Sequence, residues 1–481
     1  MADNVAMLMA DAPQEKVQVR ISTRDQSIAL PEDPGTTVVS SSWKRLQLSS
    51  LVNSLQQNER PVPYEFLING RILRTTLDEF LTKNGISTET VLSVEYIRAL
   101  SPPTHVASFE HDDWVSSVDI ISSTSPASTW RTKPTISQGQ ARILSGSYDG
   151  LLRLWDTTNA SEPLAISKLP LSSRVTSIKS VKFLSPIRLV SAGLDAVLRV
   201  WKYDPDHLTI EPTLELYGHK WAVESLAVHS PSSHILSASS DHTLGLWSTS
   251  TDLAPAAPES LISKSIKRQK VFASQQQGES PEQRGPLSLL CAHTAPVSSV
   301  IFSPADPTAA YSTSHDHTLR TWDLATSTPV SLRTTNSSLL SLTTLPTLSL
   351  LAAGSSARHI TLIDPRESTA TIAAATLRGH TNSVVDLAAD PENEHRLVSA
   401  SHDGTCRVWD VRNVKTAGSD VRSVQVGESV YTIDRESMKQ RSKRAVAGDG
   451  VKVFGICWDR EVGIVSGGED KKVQINAVLK P

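Results

Sequence analysis

Cysteine is scarce in this chain. There are three in 481 residues, Cys291, Cys406 and Cys457, far apart and never spaced as CxxC. That excludes a disulfide framework and a cysteine-based zinc site, points to a reducing compartment, and leaves each thiol as a small core residue. Excess charge of one sign is lacking too: a formal net charge of −3 and a pI near 6.5 leave no global nucleic-acid footprint, so any RNA contact is local. No apolar run approaches the roughly 18 residues of a membrane span. Met1 to Pro13 carries acidic residues and no basic stretch, so no signal peptide is predicted and the chain reads as soluble and intracellular. The signatures GxxxxGKS or GxxxxGKT, GxSxG and HExxH are all missing. No catalytic residue, resident metal or cofactor is predicted, and the chain is not read as an enzyme.

What the sequence does have is repetition. Ile235 to Trp247 reads as two short strands around a turn, with Asp241-His242-Thr243 supplying the turn chemistry. The same grammar recurs at Leu144–Trp155, Leu189–Trp201, Ala310–Trp322 and Leu397–Trp409. Asp149 and Trp155, Asp195 and Trp201, Asp241 and Trp247, Asp316 and Trp322, and Asp403 and Trp409 all keep an offset of six. Two weaker copies complete the series: Leu351 to Asp364, with Ile363 in the Trp position, and Ile464 to Asn476, with Asn476 six residues after Asp470. Several units open on a histidine, at His111, His219, His293 and His380.

These residues resemble the WD-repeat family, whose units are four-stranded propeller blades. The resemblance implies a mainly β chain and a seven-bladed β-propeller over 104–481. Three polar stretches read as insertions: 122–138, and two predicted to be disordered near 250–285 and 412–447. Without them the period is about 41 residues per unit, usual for such blades. The last unit runs out of chain before an outer strand, so Thr104 to Phe109 is expected to pair into it and close the ring.

Pairs such as His219 with Asp241, His293 with Asp316 and His380 with Asp403 invite an acid–base reading. The family resemblance implies instead that His, turn Asp, strand Ser and Trp satisfy one another inside each blade. His315, His317 and His402 flank turn aspartates without convergent metal spacing. The basic clusters Lys264–Lys270 and Lys439–Arg444 fall in insertions, and read equally as import signals, local RNA contacts or solvated loops.

Ahead of the repeats, residues 15–100 show another pattern. Lys16–Arg24 alternates as a strand, with Ser27–Leu30 as a candidate hairpin partner. Leu46, Leu48, Leu51, Val52 and Leu55 recur at helical spacing. Tyr64–Ile68 is a strand closed by Asn69-Gly70, Asp78–Thr82 a short helix, and Thr90–Ile97 a last strand. This order resembles a small ubiquitin-like β-grasp α+β domain, and its continuation through Ser101-Pro102-Pro103 points to docking rather than conjugation.

Val62–Gly70, Leu73–Glu89 and Val94–Pro103 resemble the Notchless-like N-terminal domain. With seven repeats behind it, the chain is similar to the WD-repeat subunits of the PeBoW complex of large ribosomal subunit assembly. That resemblance implies a nuclear, nucleolar and nucleoplasmic factor for 60S assembly and rRNA maturation. Its propeller would bind the propeller of the block-of-proliferation protein, alongside pescadillo. Its N-terminal domain would bind the AAA ATPase midasin, for release from pre-60S particles. In the family a Glu before the last strand ligates the Mg²⁺ of midasin's adhesion site, a hard cation with an open position for a carboxylate oxygen. Here that Glu matches Glu89. The competing reading is a substrate receptor or adaptor of a ubiquitin ligase.

Overall fold

The computed structural model describes residues 16–31, 34–57, 61–129, 139–157, 162–167, 176–250, 252–262, 281–367, 374–417, 424–439 and 451–477. The chain divides into two compact units, Met1–Pro102 with Arg412–Lys415 and Leu479–Pro481, and Pro103–Val411 with Thr416–Val478.

In the first unit, β1 (Lys16–Ser22) alternates exposed and buried residues, sending Val17, Val19 and Ile21 into the core. It is followed by β2 (Thr36–Ser40), α1 (Arg45–Gln56), β3 (Tyr64–Ile68), β4 (Arg71–Ile72), α2 (Leu77–Asn84) and β5 (Leu92–Arg98). The sheet order is β2-β1-β5-β3-β4, with β1 and β5 parallel. Leu48 and Val52 of α1 and Leu77, Phe80 and Leu81 of α2 cover one face. This is the β-grasp arrangement. Asn69 and Gly70 take φ of 51° and 73°, as a tight hairpin turn between β3 and β4 requires. Thr76 caps α2 by accepting from Glu79 N at 3.2 Å, and Gly85 ends it at φ 63°.

Two expectations fail here. The return strand is β2, paired Val17 with Val39, and not Ser27–Leu30. Gln26–Ile28 is a 3-10 turn that plugs Ile28 into the core, whereas the β-branched run Thr36-Thr37-Val38-Val39 suits an extended strand. Leu46 is 70 % exposed, away from the buried side of α1.

The second unit holds seven blades in six sheets, blades five and six sharing one eight-stranded sheet. The innermost strands of the blades are Val115–Ile121, Ile178–Ser185, Val223–His229, Val297–Phe302, Leu339–Leu345, Val384–Ala389 and Val453–Asp459. Each packs on the next and the last packs on the first, so the ring closes with seven blades. The outer strand of the seventh blade is β6 (Thr104–Glu110), antiparallel to Lys472–Ala477 with Val473 opposite Phe109. Phe109 is fully buried and stacks at 4.8 Å on Trp155 of the first blade.

Every innermost strand slips register at the same place: 115/117, 178/180, 223/225, 297/299, 339/341, 384/386 and 453/455. The bulge turns a polar side chain toward the following blade. Val181 N donates to Ser117 Oγ at 3.3 Å, Leu226 N to Ser180 Oγ at 3.2 Å, and Ile456 N to Asp386 Oδ2 at 2.8 Å.

Parts of the expected insertions are blade. Glu282–Arg284 adds a fifth, parallel strand to the outer edge of blade two. Thr405–Ala417 and Val424–Asp434 are the outer strands of blade six, and Val424–Asp434 also pairs parallel with Ala375–Arg378 of blade five. Pairing rewards extended backbone whatever its polarity, so a polar stretch can still be blade. Ser122, at the head of the first expected insertion, is buried and donates to Asp459 Oδ2 at 2.8 Å. Cluster Lys264–Lys270 lies outside the described residues, as does Lys439–Arg444 beyond Lys439.

Candidate partner-binding surfaces

Three blades hold the full polar set. In blades three, four and six, Nε2 of His219, His293 and His380 meets Oγ of Ser237, Ser312 and Ser399 at 2.6, 2.7 and 2.7 Å. Nδ1 faces Asp241, Asp316 and Asp403 at 3.2, 2.9 and 2.8 Å. The indoles of Trp247, Trp322 and Trp409 donate to the same serines, each at 2.8 Å. Burial pushes the Asp316 carboxyl up, but bonds from Thr318, His293 and Thr294 N outweigh it and hold the group at about 2. Asp241 and Asp403 are held low by the same balance. Each imidazole and carboxylate is sealed within its blade, out of reach of a substrate.

The other blades depart. Trp155 and Trp201 bond Ser145 and Ser191 at 2.9 and 2.8 Å, yet Asp149 and Asp195 pair with Arg153 and Arg199, at 2.7 and 2.6 Å. His111 reaches Ser145 at 2.8 Å, but no aspartate among the described residues bonds its buried Nδ1. Burial, then the nearby Arg153 guanidinium, push its imidazole down to about 4.

Blade seven substitutes an arginine. Arg435, 1 % exposed, donates to Ser466 Oγ at 2.8 Å, to Asp470 at 2.5 and 3.1 Å, and to Lys472 O at 2.6 Å. Sequence reasoning missed it. The histidines stand four residues before their inner strands, whereas Arg435 stands 18 before Val453.

At the face bearing the turn aspartates, aromatic side chains gather around one mouth of the ring. Trp114 lies 5.7 Å from Tyr148 and 5.9 Å from Phe454, and His402 lies 5.7 Å from Phe454. The Lys179 ammonium sits 5.2 Å above the Tyr148 ring and 3.9 Å from Glu224. Trp114 is 38 % and Trp221 61 % exposed. Exposed tryptophan beside paired charge is the composition of an interface core and rim. Nothing in the repeat grammar flagged this patch, because these aromatics fall outside the repeating positions.

Inside the ring, Lys182 meets Asp119 at 3.1 Å, and burial pushes Asp386 up to about 6 and Cys457 up to about 12. No cluster of three His, Cys, Asp or Glu among the described residues is placed to hold a metal ion.

Glu89 stands apart from all this, on the exposed turn before β5. Its N–H donates to Ser87 Oγ at 3.3 Å, and Thr90 Oγ1 donates to Ser87 O at 2.8 Å, so the turn presenting it is tied down from both sides. Its carboxylate has no partner among the described residues, leaving both oxygens open to an outside cation.

The model of the NLE (NUC135) domain matches residues 17–81, and that of the WD domain, G-beta repeat, matches 103–156, 210–248, 284–323 and 373–410. The chain is 56 % identical over 485 residues to ribosome biogenesis protein ytm1 of Aspergillus terreus, covering 98 % of each. It is 55 % identical over 489 residues to the protein of that name in Neosartorya fischeri, covering 99 % of this chain and 98 % of the relative. Against that of Emericella nidulans it is 55 % identical over 479 residues, covering 97 % and 96 %.

Proposed function

The chain belongs to the ribosome biogenesis protein ytm1 family, and from that premise we propose that it is a non-catalytic assembly factor of the 60S subunit with two docking surfaces. The small domain offers Glu89 to the Mg²⁺ of the adhesion site of midasin. The ring offers its aromatic mouth, around Trp114 and Phe454, to the propeller of the block-of-proliferation protein, in a complex with pescadillo. Its place of action is the nucleolus and nucleoplasm, and the ATPase-driven step is its release from pre-60S particles.

The observation that carries this reading is the open carboxylate of Glu89 on a pinned, exposed turn of a unit separate from the ring. A hard divalent cation takes carboxylate oxygen readily, and a preset turn lowers the ordering cost of binding. The test is a pull-down of midasin by full chain with Mg²⁺ or with chelator. Glu89→Ala should abolish Mg²⁺-dependent capture and leave the block-of-proliferation protein bound, while Trp114→Ala with Phe454→Ala should do the reverse. Capture of midasin by Glu89→Ala at the wild-type level would refute the assignment. Sedimentation away from nuclear pre-60S particles, with a ubiquitin ligase core, would favour the receptor reading.

A further inference from the structure

The first unit carries a second surface that uses neither Glu89 nor its turn. The outward side of α1 and the segment Pro61–Pro63 enclose a groove of about 460 Å³, within the range of small ligand pockets. Its walls are aliphatic, from Leu46, Pro61, Val62 and Pro63, with Ser49 and Asn53 at the base and Arg45 at the rim. A single exposed leucine is ordinary on a protein surface. Leu46 differs because it stands as one wall of a concave site, 70 % exposed, while Leu48 and Val52 on the same helix are fully buried.

The groove is held open by its own hydrogen bonds. Asn53 Nδ2 donates to Val62 O at 2.8 Å, and Val62 N donates to Asn53 Oδ1 at 2.9 Å. Ser49 Oγ donates to Val62 O at 3.3 Å and accepts from Tyr64 N at 3.2 Å. Both backbone groups of Val62 are thereby used, so an occupant cannot be recognised there by strand pairing. It must be recognised by side chains. Among the described residues the lining contains one charged residue, Arg45, with Lys44 exposed beside it, and no carboxylate. Arg45 approaches Glu65 at 3.7 Å and keeps 40 % of its side chain exposed. The exposed charge described at this rim is cationic.

We propose that this groove binds a short acidic peptide segment of a partner protein, with one aliphatic side chain seated between Leu46 and Val62 and carboxylates facing Arg45 and Lys44. A cationic rim also suits phosphate, but sequence-tolerant RNA contacts rely on aromatic faces for stacking, and this lining has none. Aliphatic walls with a positive edge select an apolar anchor flanked by carboxylates.

Full-length protein titrated into a fluorescein-labelled peptide with one central leucine between aspartates tests this by anisotropy. Saturable binding is expected, weakened at least tenfold by Leu46→Asp, by leucine-to-alanine exchange in the peptide, and by replacing the aspartates with lysines. Arg45→Glu should transfer preference to the lysine-flanked peptide, and Glu89→Ala should leave binding unchanged, which separates this site from the midasin reading. Indifference to peptide charge, no saturable binding, or binding untouched by Leu46→Asp each overturns the proposal. So does sedimentation showing a dimer of the full chain that Leu46→Asp dissolves, since the occupant is then a second copy.

Discussion

A buried ionic group is only as safe as its partner. Removing Arg435 leaves Asp470, 6 % exposed at its side chain, without a counter-charge in the interior. Arg435→Ala should lower the unfolding free energy by about 3–5 kcal/mol in urea denaturation, and Arg435→Lys should recover only part, because an ammonium cannot reproduce the guanidinium fork. Histidine and aspartate set the response to acid. His111 titrates at about 4 when folded against 6.5 ordinarily, so the unfolded chain takes up a proton that the folded chain refuses. Stability from this group is complete above about pH 6.5 and is lost as pH falls toward about 4, by at most about 3 kcal/mol. Asp316, held at about 2 against 3.8, adds stability that disappears below that window, as pH falls through its folded value. Urea titrations from neutral to acid pH should show the upper loss shrink in His111→Gln while the lower one stays. A lower loss that also shrinks would contradict the separation of the two groups.

Elements were legible where period and turn chemistry agreed. The Asp–Trp offset located the third strands of blades because Trp must reach the strand serine opposite, as Trp247 reaches Ser237. The closing strand could be foreseen because an outer edge was missing after Asn476 and Phe109 had no other place. Blade five could be located but not explained. It lacks the polar set, and its outer strand is instead sewn to Val424–Asp434 of blade six, a parallel pairing between segments far apart in sequence that no local pattern encodes. The shared bulge of the inner strands was equally invisible, since a slipped register leaves no mark in the composition. Of the candidate surfaces, Glu89 was reached through family likeness alone, while the aromatic mouth needed the ring to bring Trp114, Tyr148 and Phe454 together. At this scale Phe109→Ala is expected to cost about 3–5 kcal/mol, because the cavity opens at the seam and strips contacts from Trp155 as well. A comparison with the equally buried Leu290→Ala, away from the seam, checks whether closure adds to the loss.

For the whole molecule, the boundary at Pro102 and the pairing of β6 into blade seven make one sharp distinction. A chain starting at Pro103 keeps every strand of the ring and should unfold cooperatively near the wild-type temperature. A chain starting at His111 loses the outer strand of blade seven, exposes the edge of Lys472–Ala477, and should melt lower and aggregate, as measured by calorimetry and light scattering. Equal melting of the two would mean that the seam contributes little.

The seam also fixes where mechanical work would be felt. Ser101-Pro102-Pro103 is a short, stiff leash whose next residue, Thr104, is already paired to Ala477. Tension drawn through the small domain arrives first at that pair, and then along the ladder to Glu110 and Lys472. The ring is thus fastened at the spot where tension applied to the small domain would begin to unbutton it.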